Sequence, residues 1–118
     1  MLALLDDPAT TYRRVEFDAR VEGSDGAGLT RLCLERAIVA LGRARMADDR
    51  GTRADAMGQA GAALLALREG VAPDNPLRTP LVQFYGSARA EVMASLVRLD
   101  VDRLGAIERD LVDVLALL

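Results

Sequence analysis

The side chains that could do chemistry in this chain are few. It contains no His and a single Cys, Cys33. Without His, and with one thiol, the usual acid–base and nucleophilic dyads and the structural zinc sites cannot be assembled. Cys33 stands in an apolar helical run, where a buried and inert thiol is the common state.

Carboxylate pairs and one glycine-rich segment are the remaining candidates for chemistry. Residues 23–28 superficially resemble a phosphate-binding loop, but they follow a predicted helix and lack the Lys of a P-loop. The carboxylate pairs all lie at predicted termini or turns, where helix capping explains them; they are Asp6 with Asp7, Asp48 with Asp49, and Asp100 with Asp102. We therefore expect no enzyme activity, no cofactor and no bound metal.

The charge pattern excludes further classes of function. Arg supplies all 15 basic residues, against 18 acidic ones, and the two signs are interleaved along the chain. No concentrated basic face emerges, so nucleic-acid binding is not expected. Charged residues interrupt every apolar stretch, and the N-terminus lacks the basic start of a secretory signal, so we expect a cytoplasmic protein without membrane insertion.

Helical periodicity dominates the chain. Residues 1–11 lack a sustained period and include Pro8, which predicts a mobile N-terminal arm. A short, loosely amphipathic helix is predicted from Tyr12 to about Val21. Four long helices follow at about residues 25–48, 52–71, 77–99 and 102–118, with Thr52 as one N-cap, residues 100–102 as a break and N-cap, and Pro80 in a first turn. The sequence predicts one all-α domain over residues 1–118, an antiparallel up-and-down bundle of four long helices plus a short N-terminal one.

Each long helix carries a stripe of apolar residues at spacings of three and four, which we expect to form the core. The stripes are Leu29, Leu32, Cys33, Ala37, Ala40, Leu41 and Ala44; Met57, Ala60, Leu64, Leu67 and Val71; Leu81, Phe84, Tyr85, Ala88, Val92, Leu96 and Leu99; and Leu104, Ile107, Leu111, Val114, Leu115 and Leu118.

Further apolar residues lie off these stripes, and they need a cover. By helical phase, Leu34 and Ile38 fall on one side of their stripe and Val39 on the other. The other apolar residues off the stripes stand beside glycines that allow helices to approach closely. They are Leu65 near Gly58 and Gly61, and Val82, Met93 and Val97 near Gly86. The cover is another helix of the bundle, a second copy of the chain, or a foreign peptide that binds as an amphipathic helix.

Residues 29–38 carry a family resemblance. They fit the frame L-x-x-x-L-Y-[DE]-G-A-I, with Cys33, Leu34 and Arg36 in place of its second Leu, its Tyr and its Gly. Phe84 with Tyr85 matches a Leu-Tyr pair in a later helix, and Asp100 matches an acidic turn. With the order and lengths of the helices, the chain from about residue 12 resembles the flagellar secretion chaperone family, without the C-terminal Trp common in that family.

The resemblance implies a chaperone that binds the disordered C-terminal region of flagellin, prevents its premature polymerisation and delivers it to the flagellar type III export gate. The N-terminal arm is then expected to cover part of a groove when flagellin is absent. The predicted partner-binding residues are Leu34, Ile38, Leu65, Val82, Tyr85, Met93, Val97 and Tyr12. Two alternatives stay open: a structural or regulatory bundle that self-associates, for instance as a homodimer, and an enzyme that uses carboxylates.

Overall fold

Four helices form the part of the chain that the computed structural model describes, residues 26–118. The predicted N-terminal arm, the predicted short helix and Tyr12 lie outside these residues. No strand occurs between residues 26 and 118, which confirms the prediction of an all-helical bundle with four long helices. The helices are α1 (Gly26–Met46), α2 (Arg50–Glu69), α3 (Arg78–Val97) and α4 (Val101–Leu115).

Aspartate caps begin two of the helices. The carboxylate of Asp49 accepts hydrogen bonds from the Thr52 backbone N–H at 2.7 Å and from the Thr52 hydroxyl at 2.9 Å. The prediction that Thr52 is the N-cap was therefore wrong, because the carboxylate of Asp49, three residues earlier, accepts from an otherwise free N–H group of the first turn. Asp100 caps α4, within the break and N-cap predicted at residues 100–102, and accepts from the Arg103 N–H at 3.0 Å.

The start of α3, after the connection from α2, accommodates a proline in the first turn of the helix. The Asn75 side chain accepts from the Leu77 N–H at 2.8 Å, and α3 begins one residue later at Arg78. Pro80 is then the third residue of α3, in the first turn, where the N–H that it lacks would have had no helical partner. The predicted placement of Pro80 is confirmed.

The helices pack around a core of Leu, Ala, Met, Val and Ile side chains. Helix α1 lies between α2 and α4, and α2 packs in turn against α3. Small Ala residues on α1 and α2 let these two helices approach closely, so their interface is the most extensive in the bundle. Helices α3 and α4, by contrast, scarcely touch each other. The largest fully buried side chains are Leu34, Leu41, Met57, Leu64, Val92, Leu104, Ile107 and Leu111.

The core stripe of α3 departs from the predicted one near its end. Leu96 and Leu99, both predicted as core, are exposed, whereas Ser95 is buried. The buried positions of α3 are Tyr85, Ala88, Val92 and Ser95. Two causes combine: α3 ends at Val97, so Leu99 lies in the connection, and the buried face turns toward α2 and away from Leu96. Leu118 is also exposed, because α4 ends at Leu115.

Candidate functional site

Helices α3 and α4 leave a groove between them, which we call the α3–α4 groove. The connection at residues 98–100 and an ion pair hold the two helices together at one end, where Arg103 Nη2 donates to Glu91 Oε2 at 2.8 Å. This pairing lowers the pKa of Glu91 below its ordinary value, through the hydrogen bond from Arg103. Away from the ion pair the helices separate, and a cleft of about 330 Å³ opens between them.

The α3–α4 groove has an apolar wall on α3 and an acidic lip on α4. Asp110 and Asp113 lie on the α4 side, where their carboxylates remain in solvent, so α4 offers few apolar groups for α3 to pack against. Leu77, Pro80, Leu81 and Phe84 form the wall on α3, and Val114 completes the lining from α4. The groove can therefore receive apolar side chains, and its lip disfavours acidic ones.

A second cleft of about 440 Å³, the end cleft, lies where α1 begins and α2 ends. It shares Leu77, Leu81 and Val114 with the α3–α4 groove, so the two form one continuous concave surface. Its other lining residues come from all four helices or their ends, among them Gly26, Thr30, Leu67, Val71, Tyr85, Leu117 and Leu118. The surface is lined mostly by apolar side chains, as sites for amphipathic peptides are.

The line along which α2 meets α3, which we call the α2–α3 seam, brings together three predicted partner-binding residues. A methyl group added to Gly61 would lie only 2.5 Å from Cε of Met93, so Met93 crosses onto α2 at this glycine. Leu65 stands one turn from Gly61 on α2, and Val82 one turn from Gly86 on α3. Leu65, Val82 and Met93 are all half-buried. Gly58, in contrast, has open space around it, so it takes no part in the predicted close approach.

Two other predicted partner-binding residues, Leu34 and Tyr85, are buried. Leu34 is fully buried, so the prediction that it faces outward was wrong. The reason is that α1 packs between α2 and α4 and buries a wider arc than one stripe; neighbouring helices thus supply the cover at Leu34. Ile38 is half-buried against the core. Tyr85 is buried, which agrees with its predicted place on the core stripe, and it contributes only to the lining of the end cleft.

The environment of Tyr85 shows how closed this position is. Burial raises the pKa of its phenol above the ordinary value of 10.0, with a smaller contribution from the nearby Cys33. Its ring lies 5.5 Å from the ring of Phe84, centroid to centroid, and the planes are tilted by 49°. Phe84 reaches the α3–α4 groove, so Tyr85 supports the groove from behind and does not line its outer wall.

Val97 is the most exposed of the predicted residues that the structure describes, at 93% of its surface. It stands in the last turn of α3, beside the connection to α4, and so lies apart from both the α3–α4 groove and the end cleft. Leu96, Leu99 and Val101 are exposed in the same short stretch of the chain. These four residues form the exposed apolar patch that we call the connection patch.

Sequence reasoning missed the residues that form the α3–α4 groove. Leu77, Pro80, Asp110 and Asp113 were not predicted as partner-binding. A signal was present, since Asp110 and Asp113 stand three residues apart on one side of α4. Carboxylates on the side of a helix that faces a neighbour prevent close packing, and this could have indicated an open seam.

The part of the chain that the structure describes contains neither a metal-binding cluster nor a membrane-spanning helix. Between residues 26 and 118, no group of three or more His, Cys, Asp or Glu side chains is arranged to hold a metal ion. Within the same part of the chain, no helix combines the length and apolar character that crossing a bilayer requires. No protein-family model, curated protein or solved structure matches the chain.

Proposed function

We propose that this protein is a cytosolic export chaperone for flagellin. In this proposal it binds the disordered C-terminal region of flagellin, keeps the subunit from polymerising and passes it to the flagellar type III export apparatus. The observation that carries the proposal is the continuous apolar surface of the α3–α4 groove and the end cleft, left open because α3 and α4 scarcely pack. The resemblance of residues 29–38 to flagellar secretion chaperones supports the identity of the client.

The energetics favour a client that wraps around the bundle. Burying one Leu, Phe or Val side chain contributes about 1.5–3 kcal/mol. Ordering a disordered segment costs about 2–5 kcal/mol or more. Two apolar anchors in the α3–α4 groove would therefore barely offset the ordering cost. A client that also fills the end cleft gains further anchors, so we expect the bound segment to span both.

Calorimetric titration with a peptide of the flagellin C-terminal region tests the proposal. Leu77 lines both clefts, yet 59% of its surface is exposed, so Leu77→Asp should leave the fold intact. A carboxylate there would be desolvated under the client without a partner. We expect the affinity to fall by at least about tenfold, or 1.4 kcal/mol.

Val39→Asp is the matched control for Leu77→Asp. Val39 has a similar exposed fraction, 57%, but lies on α1 and lines neither cleft. The Val39→Asp variant should bind the peptide with the affinity of the unmodified chain. Both variants should have the melting temperature of the unmodified chain. The proposal fails if the unmodified chain does not bind the flagellin peptide. Equal binding by all three proteins would instead remove the α3–α4 groove and end cleft from the client site.

A self-associating bundle is the second candidate function, and the connection patch favours it. Leu96, Val97, Leu99 and Val101 are exposed close together in the chain, and exposed apolar patches often mark interfaces. This candidate predicts a dimer in sedimentation experiments, which Val97→Asp would dissociate. A chain that stays monomeric at every concentration tested would exclude it.

A further inference from the structure

Arg89 on α3 carries a donor that nothing in the described chain satisfies. Its Nε is out of contact with solvent and has no hydrogen-bond partner. Nearly all buried polar side-chain atoms in folded proteins have a partner, so such an atom calls for an explanation. Arg89 stands three residues after Gly86 and one turn before Met93, which places it on the α2–α3 seam.

Arg68 on α2 borders the same place. A methyl group added to Gly86 would lie 3.7 Å from Cδ and 3.8 Å from Nη1 of Arg68. The guanidinium of Arg68 therefore lies beside Gly86, where the missing side chain leaves the α3 backbone open. Arg68 and Arg89 therefore stand on the two helices that form the seam, Arg68 beside Gly86 and Arg89 three residues after it on α3.

Within the described residues, neither of these two arginines has a carboxylate at ion-pairing distance. Arg45 pairs with Glu108 at 2.7 Å, and Arg103 pairs with Glu91. Among residues 26–118, neither Arg68 nor Arg89 forms an ion pair. The seam thus presents two uncompensated positive charges among the half-buried apolar side chains of Leu65, Val82 and Met93.

We propose that the α2–α3 seam binds an amphipathic helix that carries an Asp or Glu, with its carboxylate placed between Arg68 and Arg89 over Gly86. A carboxylate has the geometry to accept from guanidinium groups, and a small movement of the Arg89 side chain on binding would let its buried Nε donate to it. The apolar side chains of the helix would cover Leu65, Val82 and Met93. This inference rests on the proposed function in that the client supplies the helix.

The opposite charges of the two surfaces determine which client segment goes where. Asp110 and Asp113 on the lip of the α3–α4 groove repel an acidic segment, whereas Arg68 and Arg89 attract it. Mismatched charges across an interface disfavour the wrong placement. The seam would therefore take an acidic segment of the client, and the groove a neutral or basic one.

The test combines the double variant Arg68→Gln/Arg89→Gln with calorimetric titration of the flagellin C-terminal peptide at low and high salt. At low salt we expect the affinity to fall by about tenfold or more, and its dependence on salt to flatten. The control is Arg31→Gln/Arg109→Gln, which changes the net charge equally at exposed sites on α1 and α4. The control should bind normally, and thermal melts should show that both variants fold.

Further measurements separate this inference from the proposed function. A peptide with its acidic residues changed to amides should bind the unmodified chain as weakly as the original peptide binds the double variant. If the original peptide binds the double variant as tightly as the control, the seam inference is wrong while the chaperone function stands.

If the flagellin peptide binds no form of the chain, the proposed function fails, and a designed amphipathic helix bearing Glu decides the inference. If the designed helix binds, and its binding requires both its Glu and the two arginines, the proposed site at the α2–α3 seam is supported. NMR should then show the Nε–H signal of Arg89 shifting. Binding that is absent, or indifferent to the Glu and the arginines, overturns it.

Discussion

Two glycines on α2 differ in what surrounds them. Gly61 is buried against the side chain of Met93, whereas Gly58, three residues earlier, is exposed with nothing near it. The same residue type therefore has opposite roles on one helix. At Gly61 the missing side chain makes room for a neighbour, and at Gly58 it only lowers helix propensity.

The first prediction compares Gly58→Ala with Gly61→Ala. Gly58→Ala should raise the free energy of unfolding by about 0.5–1 kcal/mol, because Ala is the better helix former and meets no neighbour. Gly61→Ala should show no such gain, because its methyl group would lie 2.5 Å from Met93 Cε and displace that side chain. Urea denaturation measures both. Equal stabilisation by the two variants would mean that Met93 does not occupy this space.

A second prediction concerns Leu34 and Val97, which the sequence placed on similar outer faces. Leu34→Ala should lower the free energy of unfolding by about 2–5 kcal/mol, because Leu34 is fully buried and the change leaves a cavity. Val97→Asp should change it by about 1 kcal/mol or less, because Val97 is 93% exposed. Denaturant titrations decide the matter, and a Leu34→Ala variant as stable as Val97→Asp would return Leu34 to the surface.

Whole elements in this chain are delimited by short-range contacts. Asp49 begins α2 and Asp100 begins α4 through the same capping geometry. The N-cap residue of α3 is Leu77, whose side chain makes no capping hydrogen bond. Capping depends on residues three apart, so it acts before and independently of packing. We therefore expect helix starts to respond to capping changes even where the core is unaltered.

The third prediction is a pH dependence at the start of α2. Hydrogen bonds from the Thr52 backbone N–H, and then from its hydroxyl, lower the pKa of Asp49 below the ordinary 3.8. A carboxyl whose pKa is lower in the folded chain adds stability above its unfolded pKa and loses that stability as the pH falls through the folded value. The Tm of Asp49→Ala should therefore lie below that of the unmodified chain by its largest amount at pH 7, and this difference should shrink below pH 3.8.

Asp48→Ala is the control for Asp49→Ala, because Asp48 is exposed and is not the N-cap of α2. It should leave the Tm nearly unchanged across the pH range. Melts that showed a constant deficit for Asp49→Ala from pH 7 to below pH 3 would contradict a cap that depends on the ionised carboxylate.

The packing of the whole bundle is uneven. Helix α1 is enclosed by two neighbours, whereas α3 and α4 each pack well on one side only. Local stability follows the density of buried apolar contacts, so the two outer helices should open more easily than the inner pair. A binding surface between the two less supported helices can also adjust to its occupant.

Hydrogen exchange tests this unevenness and provides the last prediction. Backbone amides in the first half of α3 and the last turns of α4 should exchange faster than those in the centres of α1 and α2. Bound flagellin peptide should slow exchange mainly around the α3–α4 groove and the end cleft. Uniform protection of all four helices in the free chain would mean that α3 and α4 are packed as tightly as the rest.

The sequence by itself determined the all-helical class, the approximate bounds of four helices, a helix cap within residues 100–102 and the place of Pro80. These features depend on periodicity, capping and proline sterics, which act over three or four residues. Only the tertiary structure decided that Leu34 is core, that Leu96 is exposed, and that Asp110 and Asp113 border an open groove. Helical phase gives the relative directions of side chains on one helix, but it does not say how many neighbours that helix has. A residue is buried or accessible according to those neighbours, and their number is set by how the four helices pack together.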